Sequence, residues 1–120
     1  MLPLRGVRVL ELTNVLAGPF CGYQLARMGA EVLKIENPEG GDLARRLGAD
    51  PELARREMGL SFVAVNAGKR SLAIDLKDPR GKEVFLALVE TADVVLENFR
   101  PDVMKRLGLD YPVLSARIRR

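Results

Sequence analysis

Between Gly6 and Glu36 the chain reads strand, helix, glycine, strand. Gly6–Leu12 (GVRVLEL) alternates and then closes apolar, as a half-covered strand entering a core does. Thr13–Pro19 (TNVLAGP) is rich in turn formers, and Pro19 suits the first position of a helix, where its missing N–H costs nothing. The pattern predicts a helix from Pro19 to about Met28. Phe20, Leu25 and Met28 would lie on its buried face, and Gly29 would end it as a left-handed cap. Glu31–Glu36 (EVLKIE) then reads as a second strand through Val32, Leu33 and Ile35. Such a unit, in roughly 30 residues, is a parallel strand pair joined by a right-handed crossover. It commits the chain to the α/β class.

The second half repeats the rhythm. Ser71–Leu76 alternates as a strand, and Asp78-Pro79 is a cap followed by a proline at the first helical position. The helix that follows carries a broad apolar face of Val84, Leu86, Ala87, Leu88 and Val89. Val94–Leu96 is a short apolar strand, and Pro101-Asp102 marks the start of another helix. Asp110 could cap a further short one. Asn37–Leu60 differs in character. NPEGGD is a turn cluster, Arg45, Arg46, Arg55 and Arg56 are interleaved with leucines, and Asp50-Pro51-Glu52 begins a short helix. This segment reads as a mobile excursion or lid outside the core, with a solvated Arg-rich helix as the plainer alternative. A short apolar run, Ser61–Val65, leads to the turn Asn66–Arg70 with its two cations. The expected architecture is a parallel, Rossmann-like α/β sheet flanked by helices. No strand follows the last helix, so the pattern is incomplete at Arg120.

Several function classes are disfavoured. The net charge of +3, from 19 basic and 16 acidic side chains, is too mild for a protein that tracks nucleic-acid phosphates, and part of the excess is local to Arg117, Arg119 and Arg120. There is no histidine, which removes imidazole acid–base chemistry and His metal ligands, and with one cysteine no metal site is expected. Cys21 has no partner for an intramolecular disulfide, which suits a reducing compartment. No apolar run approaches the roughly 18 residues of a membrane helix. Arg5, Arg8 and Glu11 interrupt any signal-peptide pattern, so the cytoplasm is the expected location. The loop after the first strand has Gly18 alone where a dinucleotide fingerprint has three glycines, which disfavours a flavin or nicotinamide reductase. Glu36 stands where nucleotide folds place a ribose-binding acid. Ala92–Leu109 places the carboxyl end of a strand before a helix start, with Arg100, Lys105 and Arg106 nearby. It reads either as an anion-facing turn or as an ordinary connection with surface cations.

Four segments together carry a resemblance: VLELTNVLAGPF (9–20), GAEVLKIENPEGGD (29–42), NAGKRSLAIDLKDPRG (66–81) and ADVVLENFRPDVMKRLGL (92–109). The chain resembles the amino-terminal part of the family III CoA-transferases, which include formyl-CoA transferase, carnitine CoA-transferase and α-methylacyl-CoA racemase. The resemblance implies that residues 1–120 are the N-terminal part of a CoA-binding Rossmann-like domain from a protein about three times longer. Coenzyme A or acyl-CoA is then the implied substrate, with no metal. Leu16 and Ala17 match first-loop positions that touch CoA. Ile74, Asp75, Leu76 and Lys77 match the segment that holds its adenosine side. Asn98, Phe99 and Arg100 match a further contact segment, and Arg106 matches a cation on the CoA phosphates. Asn37 replaces an arginine that contacts the adenine end in some members. Leu16 replaces a glutamine of formyl-CoA transferase, against formyl or oxalate specificity.

The reaction implied is acyl transfer through an aspartate that forms covalent intermediates, or, in the racemase branch, a His/Asp proton shift beside the thioester. In both branches the catalytic groups lie beyond Arg120, so none is assigned and no turnover is expected of this chain. A non-catalytic CoA- or nucleotide-binding module is the alternative. Uncovered strands predict a homodimer or other self-association. Acyl-CoA is the expected partner, with neither nucleic acid nor membrane.

Overall fold

The computed structural model describes residues 1–119, so Arg120 lies outside the described residues. Its centre is a four-stranded parallel sheet in the order β3-β2-β1-β4. The strands are β1 (Arg8–Glu11), β2 (Glu31–Glu36), β3 (Arg70–Ala73) and β4 (Val94–Leu96). Parallel neighbours need crossovers, and α1 (Ala17–Arg27) links β1 to β2 while α4 (Pro79–Val89) precedes β4. The chain builds outward from β1 through β2 to β3, then returns to place β4 on the other side of β1. That reversal opens a crevice beyond the carboxyl ends of β1 and β4.

The two inner strands account for the core. One face buries Leu10, Leu12, Ile35, Ile74, Phe85, Val89, Ala92, Leu109 and Leu114, and the other buries Val9, Ala30 and Val32 with Leu25 packed against them. The β2 span is as expected, and β4 keeps its three residues. β3 is shorter than the alternation suggested, yet the Ile74 amide still reaches the Glu36 carbonyl at 2.9 Å, so the chain runs on beside β2 past the strand's end.

The first helix differs from expectation in an informative way. It begins at Ala17 rather than Pro19, and its buried residues are Gly18, Pro19 and Gly22. Phe20 and Met28 face solvent, at 50% and 39% exposure. For Phe20 the reason lies beneath the first half of the helix. A Cβ on Gly18 would come within 2.3 Å of the Thr13 side chain, and one on Gly22 within 1.9 Å of the Glu11 carboxylate. The helix must offer small residues where β1 ends in polar side chains. Gly29, at φ +103°, closes it as expected.

The segment after β2 is not a solvated excursion throughout. It forms a 3₁₀ turn (Leu43–Arg46), α2 (Pro51–Arg55) and α3 (Leu60–Val63). Asp42 and Ala44 are fully buried, and Phe62 nearly so. The Arg45 guanidinium lies 3.9 Å from the Phe62 ring centroid. Asp50 caps α2 through the Glu52 and Leu53 amides, and Asp78 caps α4 through the Arg80 amide, both as expected. In α4, Phe85 and Val89 are the buried anchors, whereas Val84 is exposed. The helix after β4 is one turn, α5 (Val103–Arg106); Pro101 precedes it, and Asp102 is a left-handed residue at φ +71° rather than a capping acid. So short a helix adds little dipole for an anion. A last short helix, α6 (Tyr111–Ser115), follows Asp110, whose side chain makes no capping bond. Among the described residues no helix is long and apolar enough to cross a membrane.

The close approach at Gly22 gives a direct check. Gly22→Ala should lower unfolding free energy by about 2 kcal/mol in chemical denaturation, because the added methyl must displace a buried carboxylate.

Candidate functional site

Charged side chains meet beneath the carboxyl ends of β1 and β2. Glu11, Lys34, Asp42 and Lys69 are all essentially excluded from solvent. The Lys34 ammonium lies 3.0 Å from Glu11 Oε2 and 3.0 Å from Asp42 Oδ2, and donates to the Thr13 carbonyl at 2.9 Å. The Lys69 ammonium pairs with Glu11 Oε1 at 2.6 Å and donates to the Pro19 carbonyl and Asn66 Oδ1, each at 2.8 Å. Two acids and two ammoniums balance, so no net charge is buried. Glu11 Oε1 and Asp42 Oδ2 have no aligned hydrogen bond, but each meets an ammonium in an ion pair. Burial pushes the Lys69 ammonium down from its ordinary value, while the Glu11 carboxylate beside it pushes it back up.

This network fastens the β1–α1 loop. Lys34 takes the Thr13 carbonyl, and the Thr13 hydroxyl donates to Glu11. Asn98, after β4, accepts from the Asn14 amide and donates to the Asn14 carbonyl, both at 3.3 Å. Asp42 Oδ1 accepts the Val15 amide at 3.0 Å. A second cluster sits at the end of β2. Glu36 accepts from Arg45 Nε and Nη2, from the Asp42 amide at 2.9 Å and from the Ser71 hydroxyl. Burial would raise the Glu36 carboxyl, but the bonds from Arg45, Ser71 and the Asp42 amide outweigh it and hold it at about 2. Its acceptor capacity is committed to the protein, so the position does not offer a free acid to a ribose.

Above these groups lies a cleft of about 210 Å³ at the strand ends. Leu12, Ile35, Ile74, Leu76, Phe99 and Leu107 give it apolar walls, and Asn14, Glu36, Asn37, Asp75 and Lys77 add polar edges. The structure therefore brings Ile74–Lys77 together with Phe99, across a separation that only the β3–α4–β4 crossover closes. The remaining candidates stand around it. Asn98 is tied to the β1–α1 loop, and Leu16 is 64% exposed at the head of α1 beside Ala17. Arg100 lines a second groove, of about 600 Å³, between the β4 end and α5–α6. Arg106 is exposed on α5, next to the cleft residue Leu107. Sequence reasoning missed Leu12, Asn14, Ile35 and Leu107 as lining residues, and it missed the buried network. The signal was present for the network: Glu11 and Lys34 interrupt apolar runs in the two inner strands, where a charge survives only with a partner.

Residues 4–120 match the family model described as CoA-transferase family III. The chain belongs to CoA-transferase family III. It is 50% identical over 115 residues to the succinate–glutarate CoA-transferase of Agrobacterium fabrum, in a match covering 93% of this chain and 29% of that protein. It is 45% identical over 115 residues to the succinyl-CoA–L-malate CoA-transferase alpha subunit of Chloroflexus aurantiacus, covering 96% of this chain and 26% of the relative. The crystal structure of Rv3272 from Mycobacterium tuberculosis superposes with a TM-score of 0.87 at 43% identity, covering 98% of this chain and 31% of that one. The chain thus spans 26–31% of the length of these proteins. In this family III member the matched residues supply the parallel sheet, the fastened β1–α1 loop and the cleft.

The Glu36 cluster carries a pH signature. Its folded value of about 2 lies below the ordinary 4.5, so its contribution is complete above pH 4.5 and lost as pH falls toward 2. Glu36→Gln should cost about 2 kcal/mol at pH 7 and flatten the stability curve across that acid window, as read by denaturant melts at several pH values.

Proposed function

We propose that this chain forms the CoA-binding wall of a family III CoA-transferase, which moves CoA between an acyl-CoA thioester and a carboxylic acid. One observation carries the reading: the cleft at the strand ends joins Ile74, Asp75, Leu76 and Lys77 to Phe99. Its apolar walls suit an adenine ring, and Lys77 at the edge suits a phosphate. A cleft of 210 Å³ has room for one end of CoA rather than the whole molecule. The rest would run over the β1–α1 loop at Leu16 and Ala17 and toward Asn98 and Arg100. Arg106, exposed on α5, is positioned at the periphery to meet phosphates. The family relatives named above supply the reaction class, and their names place CoA and dicarboxylic acids among their reactants.

The residues of this chain bind and orient in this reading; the nucleophilic carboxylate comes from outside residues 1–120. The chain alone would then bind CoA without turning it over. A second copy is the proposed partner. Leu16, Phe20, Leu43, Leu60 and Val63 are each more than 40% exposed, an apolar burden that association would relieve.

Calorimetric titration of CoA into the purified chain tests the reading. Lys77→Glu should weaken binding about tenfold, and Arg106→Ala by about threefold. Arg56→Glu, on the α2 cap away from the cleft, should leave binding unchanged. No binding by the wild type, or equal binding by all variants, contradicts the proposed site. Light scattering should report a dimer; a monomer mass would contradict the proposed self-association.

A further inference from the structure

Val15 is a β-branched residue held at φ +70°, in the left-handed region that such side chains rarely adopt. Its side chain is partly exposed and supplies no deep packing to hold the backbone there. Lys34 and Asn98 fasten Thr13 and Asn14 before it, and the group that bonds Val15 itself is Asp42. This acid is fully buried, and its Oδ1 accepts the Val15 amide at 3.0 Å and the Ala44 amide at 2.9 Å. Its Oδ2 meets the Lys34 ammonium at 3.0 Å, and its own amide donates to Glu36 Oε1 at 2.9 Å. The carboxylate is therefore fixed from several directions before it grips Val15. The residues that follow Val15 are Leu16, which stands exposed, and Ala17, which opens α1.

We infer that Asp42 is a positioning residue: it clamps the β1–α1 turn in its left-handed form at Val15 and thereby presents Leu16 and Ala17 to the ligand. The inference rests on the CoA reading above for the identity of that ligand. The clamp itself does not. Nothing in the ordinary stabilising role of a buried acid requires a strained residue in the loop it touches. Strain of this kind persists only where surrounding contacts over-determine it.

The test is a rescue by glycine, which adopts positive φ without help. In calorimetric titrations with CoA, Asp42→Ala should weaken binding about tenfold, the order that one strained backbone residue can account for. Adding Val15→Gly to Asp42→Ala should return affinity to within about threefold of wild type, because the turn then forms unaided. A residue that served only to neutralise Lys34 would not be rescued in this way. Val15→Pro forces φ negative and deletes the donor while leaving Asp42 and Lys34 in place, so it should match the loss and remain informative even if Asp42→Ala fails to fold. Unchanged affinity in Asp42→Ala, equal weakness with and without Val15→Gly, or wild-type affinity in Val15→Pro would each overturn the inference. If the wild type binds no CoA, the ligand reading fails on its own. The clamp is then decided by hydrogen exchange of the Val15 amide: protection in wild type that is lost in Asp42→Ala supports it, and equal exchange overturns it.

Discussion

A pair of lysines buried against a pair of acids organises the carboxyl end of this sheet. Glu11 and Lys34 lie opposite each other in the β1–β2 register, so parallel pairing itself brings their side chains together. Asp42 and Lys69 close the group from the segments that flank α2 and α3. Desolvating such charges is expensive, and only their mutual pairing with further hydrogen bonds offsets it. The network is thus weak evidence for added stability, while each of its members depends on the others for its partner. Removing a single member would leave a buried charge without its counterpart. Its reach explains two features that look unrelated: the small residues on the buried face of α1, and the docking of the Arg-rich segment against the body.

The strand rhythm and the cap-and-proline helix starts made most of the fold legible in the sequence. β2, β4, the Gly29 stop and the Asp78-Pro79 start all follow from local chemistry acting alone. The misreadings share one physical cause. Phe20 was expected inside because an apolar residue on a helix is ordinarily buried, but the polar end of β1 claims that space and admits Gly18 and Gly22 instead. Asp42 and Lys69 looked like loop charges, since only tertiary contact with Glu11 and Lys34 turns them inward. The short α5 escaped for a similar reason: Pro101 and Asp102 match a helix start by composition, while the left-handed Asp102 spends that position on a turn.

The candidate site divides the same way. Ile74–Lys77 and Phe99 were legible through the family resemblance, and the crossover brings them to one cleft. Leu12, Ile35 and Leu107 were not, because in sequence they are ordinary core residues and only their place at the strand ends gives them a wall of the cleft. The rim is consequently a composite: apolar positions that finish the core, polar ones along its edge, and a first loop tied to Lys34, Asn98 and Asp42 in turn. Matched family members are more than three times as long, and the chain corresponds to 26–29% of their length.

The central claim is one of place: the nucleotide end of CoA lies at the carboxyl rim of the parallel sheet, over the cleft between the β2 and β3 ends and Phe99. A crystal structure of this chain grown with coenzyme A tests it most directly. The account predicts adenine density against Ile74 and Leu76, with Lys77 at its edge and the β1–α1 loop unmoved. Density seated instead in the groove between α5 and α6, or along the open edge of β3, would contradict it.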